Sequence, residues 1–246
     1  LEFNATKFII IGLDIDDIKE IHINGFIKND LDLSELLANS NENDISTLIS
    51  DIKKELERLK AEGMEGLVLD LRNNGGGSLK TVVDMVGLFI EDGPVVQVRS
   101  TGEPQEVLKD RDRSITWDGP LVVLVNELSA SASEILAAAM QDYKRAIVIG
   151  SKQTYGKGTV QNVLDLNRMV RNNTNGDMGA LKFTTQKFYR INGGSTQLEG
   201  VKSDVVVPDR YSYIDIGEKD QDNPLSWDKI EPLKYEFWSN YFDYDA

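Results

Sequence analysis

Short, continuous apolar segments that alternate with helix-forming segments are the feature of this sequence that most constrains its fold. GLVLD at 66–70, PLVVLV at 120–125 and AIVIG at 146–150 are typical of strands buried on both faces. Helical spacing of apolar residues follows or precedes each of them. Because parallel strands need crossover connections, this alternation predicts an α/β fold with a mostly parallel sheet and right-handed crossover helices.

The remaining elements are predicted from the same periodicities. The predicted helices span 45–61, 81–90, and a segment that starts at the serines near 129 and ends at about Tyr143. Further strands are predicted at 18–27, 94–100, 180–191 and 205–208, with a polar loop at 39–44. PVVQVRS at 94–100 is placed in the same strand and helix series as the three buried strands.

Composition removes several classes of chemistry. The chain has 246 residues, no cysteine and one histidine, which excludes thiol nucleophiles, disulfides and thiolate metal sites. His22 lies in an alternating strand pattern and is interpreted as structural, so a catalytic base would be another residue type. A net charge of −14 repels phosphate backbones and argues against a nucleic-acid partner. No apolar run approaches the roughly 20 residues of a membrane-spanning helix.

The stretch SASASEILAAAMQDY at 129–143 places three serines between a buried strand and a helix. A hydroxyl at the positive end of a helix lies where an oxyanion is stabilised, which favours a nucleophile at 129, 131 or 133. The alternative is structural, because serine is a preferred N-cap and Ser131 or Ser133 with Glu134 would start a helix. The stretch alone leaves both interpretations open.

A second stretch, TYGKGTVQ at 154–161, sets Lys157 between two glycines just after the AIVIG strand. Glycines allow close backbone approach, so the amine is expected to point inward. A desolvated ammonium loses its proton more easily and then accepts one from a serine. Gln161 is placed to hydrogen-bond that amine. The alternatives are phosphate binding or an ordinary surface turn; a phosphate-binding loop is disfavoured because Ser151 and Gly158 break its pattern.

A third stretch, LRNNGGGSL at 71–79, follows the first buried strand. Three glycines leave backbone amides uncovered, as an anion-binding nest or half of an oxyanion hole requires. The alternative is an ordinary glycine-rich loop, which is less economical because three consecutive glycines are entropically costly to order.

In their order and separation, DLRNNGGGSL, SASASEILAAAMQDY and YGKGTVQ resemble the carboxy-terminal processing peptidases, most closely the bacterial tail-specific protease branch. The resemblance continues through KFTTQKFYRINGGSTQLEGVKSDVVVPD and DNPLSWDKI and covers about residues 62 to 230. It implies that Ser131 is the nucleophile, Lys157 the general base and Gln161 the residue that orients the base. The backbone N–H groups of Gly76 and Ala132 would form the oxyanion hole.

The resemblance also implies a crotonase-like α/β fold and a structural role near the site for Asp142. It implies an enzyme with no cofactor and no metal that acts on polypeptide substrates selected by apolar C-terminal tails, in the periplasm or cell envelope. The sequence indicates no oligomeric state. The expected organisation is an N-terminal segment at 1–16, a Ser-Lys peptidase core at 17–208 and a C-terminal extension at 209–246. The resemblance would also imply a PDZ module, which the family usually carries. Too few residues precede Asp70 to form such a module together with the strand and the helix predicted in that region.

Two other functions fit parts of the sequence. One is a non-catalytic peptide- or ligand-binding relative of the same fold, which would have no need of Ser131, Lys157 and Gln161 together. The other is a crotonase-type acyl-CoA enzyme, whose CoA phosphates would favour a basic rim that this acidic chain does not suggest.

Overall fold

The structure is a computed structural model that describes residues 8–12, 22–23, 26–27, 42–169 and 176–238. Its strands are β1 (Phe8–Gly12), β2 (His22–Ile23), β3 (Phe26–Ile27), β4 (Gly66–Asp70), β5 (Gly93–Ser100), β6 (Glu106–Asp110), β7 (Leu121–Val125), β8 (Ile147–Gly150), β9 (Thr159–Asp165), β10 (Ala180–Tyr189) and β11 (Val205–Val206). Its α-helices are α1 (Glu42–Ala61), α2 (Leu79–Gly87) and α3 (Ala132–Asp142).

Five strands form a parallel sheet in the order β1-β4-β7-β8-β11. Its centre is made of the three apolar segments identified in the sequence, with Leu67 paired to Leu121 and Val122 paired to Ile147. The predicted mixed α/β fold with a parallel sheet is therefore confirmed. β1 was not predicted as a strand; it pairs in parallel with β4 from Phe8 to Gly12.

A second sheet is antiparallel, in the order β6-β5-β10-β9. β5 was placed in the parallel series by its sequence, and that placement is wrong because β5 pairs with β6 and β10 instead. β6 and β9 were not predicted. β6 is mostly exposed, and β9 mixes polar and apolar residues, so neither has the clear apolar alternation that marks a strand in a sequence.

The strand predicted at 18–27 is instead described as a two-stranded antiparallel pair, with His22 opposite Ile27 and Ile23 opposite Phe26. The sequence between these strands is Asn-Gly, the dipeptide that most favours a two-residue hairpin turn. The rest of the segment lies outside the described residues.

The helices cover the parallel sheet with apolar faces. α3 is buried along almost its whole length, from Ala132 to Met140, and packs against α2. α1 contributes Ile52, Leu56 and Leu59 to the same core. α1 begins at Glu42, so 42–44 of the predicted polar loop are helical, since acidic and polar residues suit the positive end of a helix.

Residues 209–238 cross the surface mostly without regular secondary structure. Hydrogen bonds hold this segment to the chain after β10 and to the end of α3: Ile230 N–H to Gly193 O (2.9 Å), Leu233 N–H to Ile191 O (2.8 Å) and Trp238 N–H to Tyr143 O (2.8 Å). Within the described residues, no helix has both the length and the hydropathy needed to cross a membrane.

Candidate active site

The three glycine- and serine-rich stretches meet at one cleft of about 540 Å³. The first turns of α2 and α3 form one side of it, and β9 and β10 form the other. Polar lining is provided by Ser131, Lys157, Gln161 and Lys182, and apolar lining by Leu79, Ile135, Val160 and Phe188. Residues from Gly75 to Phe188, which are far apart in the chain, therefore share one solvent-accessible space.

The structure separates the three candidate serines. Ser129 and Ser133 are fully buried, and their hydroxyls donate to the Leu71 carbonyl (2.8 Å) and the Asn74 carbonyl (3.1 Å). Only Ser131 of the three lines the cleft. It immediately precedes α3 with φ of +56°, a left-handed conformation that costs a non-glycine residue free energy and is kept only when its surroundings enforce it.

Lys157 lies in a turn, and its Nζ donates to Gln161 Oε1 at 3.2 Å. Because β9 begins at Thr159, Gln161 is placed on a strand rather than on a loop. The predicted contact between the amine and Gln161 is therefore present in the structure. The lysine is half-buried and lines the same cleft as Ser131.

The two predicted oxyanion donors differ in their surroundings. A Cβ on Gly76 would lie 2.7 Å from Ser131 Cβ, so only glycine fits beside the serine at φ of +120°. The Gly76 N–H donates to Asn74 Oδ1 at 2.9 Å, so it is engaged in this structure. The Ala132 N–H belongs to the first residue of α3, where backbone donors have no acceptor within the helix.

Glu134 was considered in the sequence only as a residue that helps to start a helix, and its contacts with the lysine segment were missed. Its side chain is fully buried and accepts four hydrogen bonds. Oε2 accepts from the backbone N–H groups of Ser131 (2.8 Å) and Lys157 (3.0 Å). Oε1 accepts from the Gly156 N–H (2.7 Å) and the Thr154 hydroxyl (2.6 Å). One carboxylate therefore joins the segment that carries the serine to the segment that carries the lysine.

Two opposing effects set the protonation of Glu134. Burial raises its pKa to about 7, while the hydrogen bonds from Thr154 and the three backbone N–H groups favour the charged form. The sequence contained only a local sign of this residue, a glutamate three positions after a candidate N-cap. Its partners at 154–157 are about 20 residues away, and no local pattern reveals them.

Asp142 is not among the residues that line the cleft. It is buried at the end of α3, where it accepts from Arg190 (2.5 Å to Nη2, 3.1 Å to Nε) and from the Asn192 amide (2.8 Å). Burial raises its pKa, and Arg190 opposes that shift. Among residues 42–169 and 176–238, no group of three or more His, Asp or Glu side chains is arranged to hold a metal ion.

Replacing Glu134 with glutamine tests its role as a fourfold acceptor. A protonated carboxyl keeps a lone pair on each oxygen, but an amide NH₂ has none, so Glu134→Gln leaves at least one buried backbone N–H without an acceptor. We expect the free energy of unfolding at pH 5 to fall by about 1–3 kcal/mol. Urea unfolding measures it. The control Glu199→Gln, at an exposed position, should change it by less than about 0.5 kcal/mol. Equal stabilities for the two variants would contradict the assignment.

The raised pKa of Glu134 also predicts how stability depends on pH. A carboxyl whose folded pKa is about 7 against a usual 4.5 stabilises the fold below pH 4.5 and loses that contribution as pH rises through 7. Between pH 5 and pH 8, the free energy of unfolding of the wild type should therefore fall by up to about 3 kcal/mol more than that of Glu134→Gln. Unfolding curves for both proteins at the two pH values measure the difference. If the free energy of unfolding changed equally with pH in the two proteins, Glu134 would be ruled out as the source of the pH dependence.

Comparison with known proteins agrees with the geometry of the cleft. The profile of peptidase family S41 matches residues 17–207, and the profile described as the C-terminal domain of tail specific protease matches residues 211–245. The family match begins well before residue 62, so the N-terminal limit expected for the resemblance was wrong. The elements near the N-terminus lack the distinctive motifs on which that limit was based.

Individual relatives cover most of the chain. It is 49% identical over 188 residues to a tail-specific protease of Haemophilus influenzae, covering 76% of this chain and 27% of that protein. It is 33% identical to a carboxy-terminal-processing protease of Bartonella bacilliformis, covering 87% of this chain and 48% of that protein. The chain thus spans less than half the length of these relatives.

A solved structure shows the same relationship. A photosystem II D1 C-terminal processing protease superposes with a TM-score of 0.56 at 32% identity, covering 68% of this chain and 40% of that one. With a family match over 191 of 246 residues and a relative that is 49% identical over 76% of the chain, the chain belongs to peptidase family S41.

Proposed function

We propose that this chain is the catalytic part of a serine endopeptidase that cleaves polypeptides through a Ser-Lys acyl-enzyme. The observation that carries the proposal is the shared anchoring of Ser131 and Lys157. Both line one cleft, and the backbone N–H groups of both donate to the same buried oxygen of Glu134. The relatives named as tail-specific and carboxy-terminal-processing proteases support the same chemistry.

In the proposed mechanism, Ser131 Oγ attacks the carbonyl carbon of the scissile peptide bond while Lys157 Nζ takes the hydroxyl proton. The tetrahedral oxyanion lies at the start of α3 and accepts from the Ala132 N–H. The Gly76 N–H joins it by exchanging Asn74 Oδ1 for the oxyanion. Lys157 returns the proton to the leaving amine, which leaves an ester on Ser131.

Hydrolysis of the ester repeats the same roles with water as the nucleophile. Lys157 takes a proton from water, the oxyanion forms again at the same amides, and Ser131 is released with its proton restored. Gln161 Oε1, 3.2 Å from the amine, holds the amine's direction through both halves of the reaction.

The proposed substrates are proteins with apolar C-terminal tails. Leu79, Ile135, Val160 and Phe188 line the cleft beside Ser131 and offer apolar contact to side chains next to the scissile bond. We further propose a crotonase-like core at 17–208, flanked by an N-terminal segment at 1–16 and a C-terminal extension at 209–246. A periplasmic or cell-envelope location follows from the resemblance to the tail-specific branch.

Removal of either reacting group tests the mechanism. Ser131→Ala and Lys157→Ala should each lower cleavage of an unfolded protein with an apolar C-terminus by more than about 1,000-fold, because nucleophile and base act as one unit. Gel assays of substrate loss measure it, and circular dichroism checks that the fold is retained. Lys152→Ala, at an exposed position five residues earlier, is the matched control and should keep wild-type activity.

A fluorophosphonate probe separates the peptidase from a non-catalytic binding relative. The wild type should become labelled at Ser131, and Ser131→Ala should not. Full activity in either active-site variant, or an unlabelled wild type that still binds unfolded protein, would overturn the proposal in favour of the binding function.

A further inference from the structure

We propose that residues 217–228, here called the C-terminal clamp, position Lys157 for catalysis, and that Gln197 is the positioning residue through which the clamp acts. The inference rests on the proposed Ser-Lys mechanism and adds to it a group outside the cleft. It is carried by a continuous set of hydrogen bonds from the clamp to the turn that holds Lys157.

The first step is that the Lys157 turn is held by a second set of hydrogen bonds, separate from those to Glu134. Three consecutive residues at 196–198 bond three consecutive residues at 156–158. Leu198 N–H donates to the Gly156 carbonyl (2.7 Å), and the Thr196 hydroxyl donates to the Lys157 carbonyl (3.0 Å). The Gly158 N–H donates to Gln197 Oε1 at 2.9 Å. The backbone of the turn is thereby fixed by side chains and backbone that do not line the cleft.

The two segments pack so closely that neither can shift along the other. A Cβ on Gly156 would lie 3.0 Å from the Leu198 carbonyl carbon, and one on Gly158 would lie 2.7 Å from the Gln197 nitrogen. The two glycines around Lys157 are therefore required by the approach of segment 195–198. The close backbone approach that the sequence led us to expect at these glycines is the approach of this segment. Lys157 is the one side chain that the turn projects.

The second step is the contact between Gln197 and the clamp. Gln197 is fully buried, and both ends of its amide are used. While Oε1 accepts from Gly158, Nε2 donates to the Leu225 carbonyl (3.0 Å) and to Glu218 Oε1 (3.3 Å). A single amide thus transmits the position of the clamp to the residue after Lys157. Such linked hydrogen bonds polarise and strengthen one another in a buried setting.

The clamp also reaches the residue two positions before Lys157. Glu218 N–H donates to the Tyr155 carbonyl at 2.9 Å, and the Gln221 amide donates to the Tyr155 hydroxyl. Trp227 Nε1 donates to the Ser195 carbonyl at 2.9 Å. The clamp therefore holds both flanks of the lysine turn, through residue 155 on one side and through residues 195–197 on the other.

This arrangement predicts an effect on turnover rather than on substrate binding. The clamp does not line the cleft, so its loss leaves the cleft walls in place. Loss of the clamp would instead shift the lysine amine relative to Ser131. A displacement of about 1 Å at a reacting group costs on the order of 100-fold in rate.

The chain offers a matched pair of glutamines for the test. Gln97, like Gln197, is fully buried and donates through Nε2 to backbone carbonyls, those of Arg190 (2.9 Å) and Glu231 (3.4 Å). Gln97 contacts the C-terminal segment but not the lysine turn. Gln197→Met and Gln97→Met therefore remove the same chemistry from two equally buried positions, only one of which reaches Lys157.

We expect Gln197→Met to lower kcat for cleavage of an unfolded protein by about 10- to 100-fold with KM changed less than about twofold. Labelling of Ser131 by the fluorophosphonate should slow by the same factor. Gln97→Met should keep kcat and labelling within about twofold of the wild type. Gln197→Glu places a carboxylate against Glu218 and should be impaired. The double variant that combines Gln197→Glu with Glu218→Gln again places a donor opposite an acceptor. Its activity should be at least threefold higher than that of Gln197→Glu alone.

Glu218→Ala provides a second test if Gln197→Met does not fold, because Glu218 is only half-buried. It should lower kcat by at least threefold with an unchanged melting temperature. A Gln197→Met protein with the kcat of Gln97→Met, or a Glu218→Ala protein with wild-type kcat, would overturn the role of the clamp. Those outcomes leave wild-type labelling at Ser131 intact, whereas an unlabelled wild type would overturn the Ser-Lys mechanism and this inference with it.

Discussion

The organisation of the cleft depends on one buried carboxylate. One oxygen of Glu134 accepts hydrogen bonds from the backbone N–H groups of Ser131 and Lys157. These are the two residues to which the proposed chemistry is assigned. A buried carboxylate is costly unless its acceptor positions are filled, and here four donors fill them. In the chain, the serine precedes β8 and the lysine follows it, and their shared contact with Glu134 sets the distance between the two backbones.

The rest of the fold supports that contact from two directions. α3 holds Glu134 and Ser131 in one rigid unit, since the helix is buried from Ala132 to Met140 against the sheet and α2. From the other direction, segment 195–198 and residues 217–228 hold the turn at 156–158. Lys157 thus lies between two anchored backbones, and its amine donates to Gln161 on β9. The proposed base, held in this way, would need little reorganisation before it accepts a proton.

The sequence predicted the parts of the structure that local patterns determine. The strands at β4, β7 and β8 were predicted because a strand buried on both faces must be continuously apolar. β5 was placed in the wrong sheet because it pairs with β10, which lies far along the chain. β6 and β9 were missed because their residues carry no clear apolar alternation. For the functional site too, local patterns predicted one part, and the other part depends on contacts between segments that are separate in the chain.

Local patterns identified the three stretches of the site, and the resemblance to the carboxy-terminal processing peptidases implied Ser131 among the three serines. The structure shows Ser129 and Ser133 bonded to backbone carbonyls in the interior. The contributions of Glu134 and Gln197 are non-local and emerged only with the fold. The most direct measurement is a crystal structure of the protein with a peptide boronate bound. The account predicts boron bonded to Ser131 Oγ, Lys157 Nζ within about 3.2 Å of that oxygen and a boronate oxygen at the Ala132 N–H. Boron on another residue, or a Lys157 amine directed out of the cleft, would contradict it.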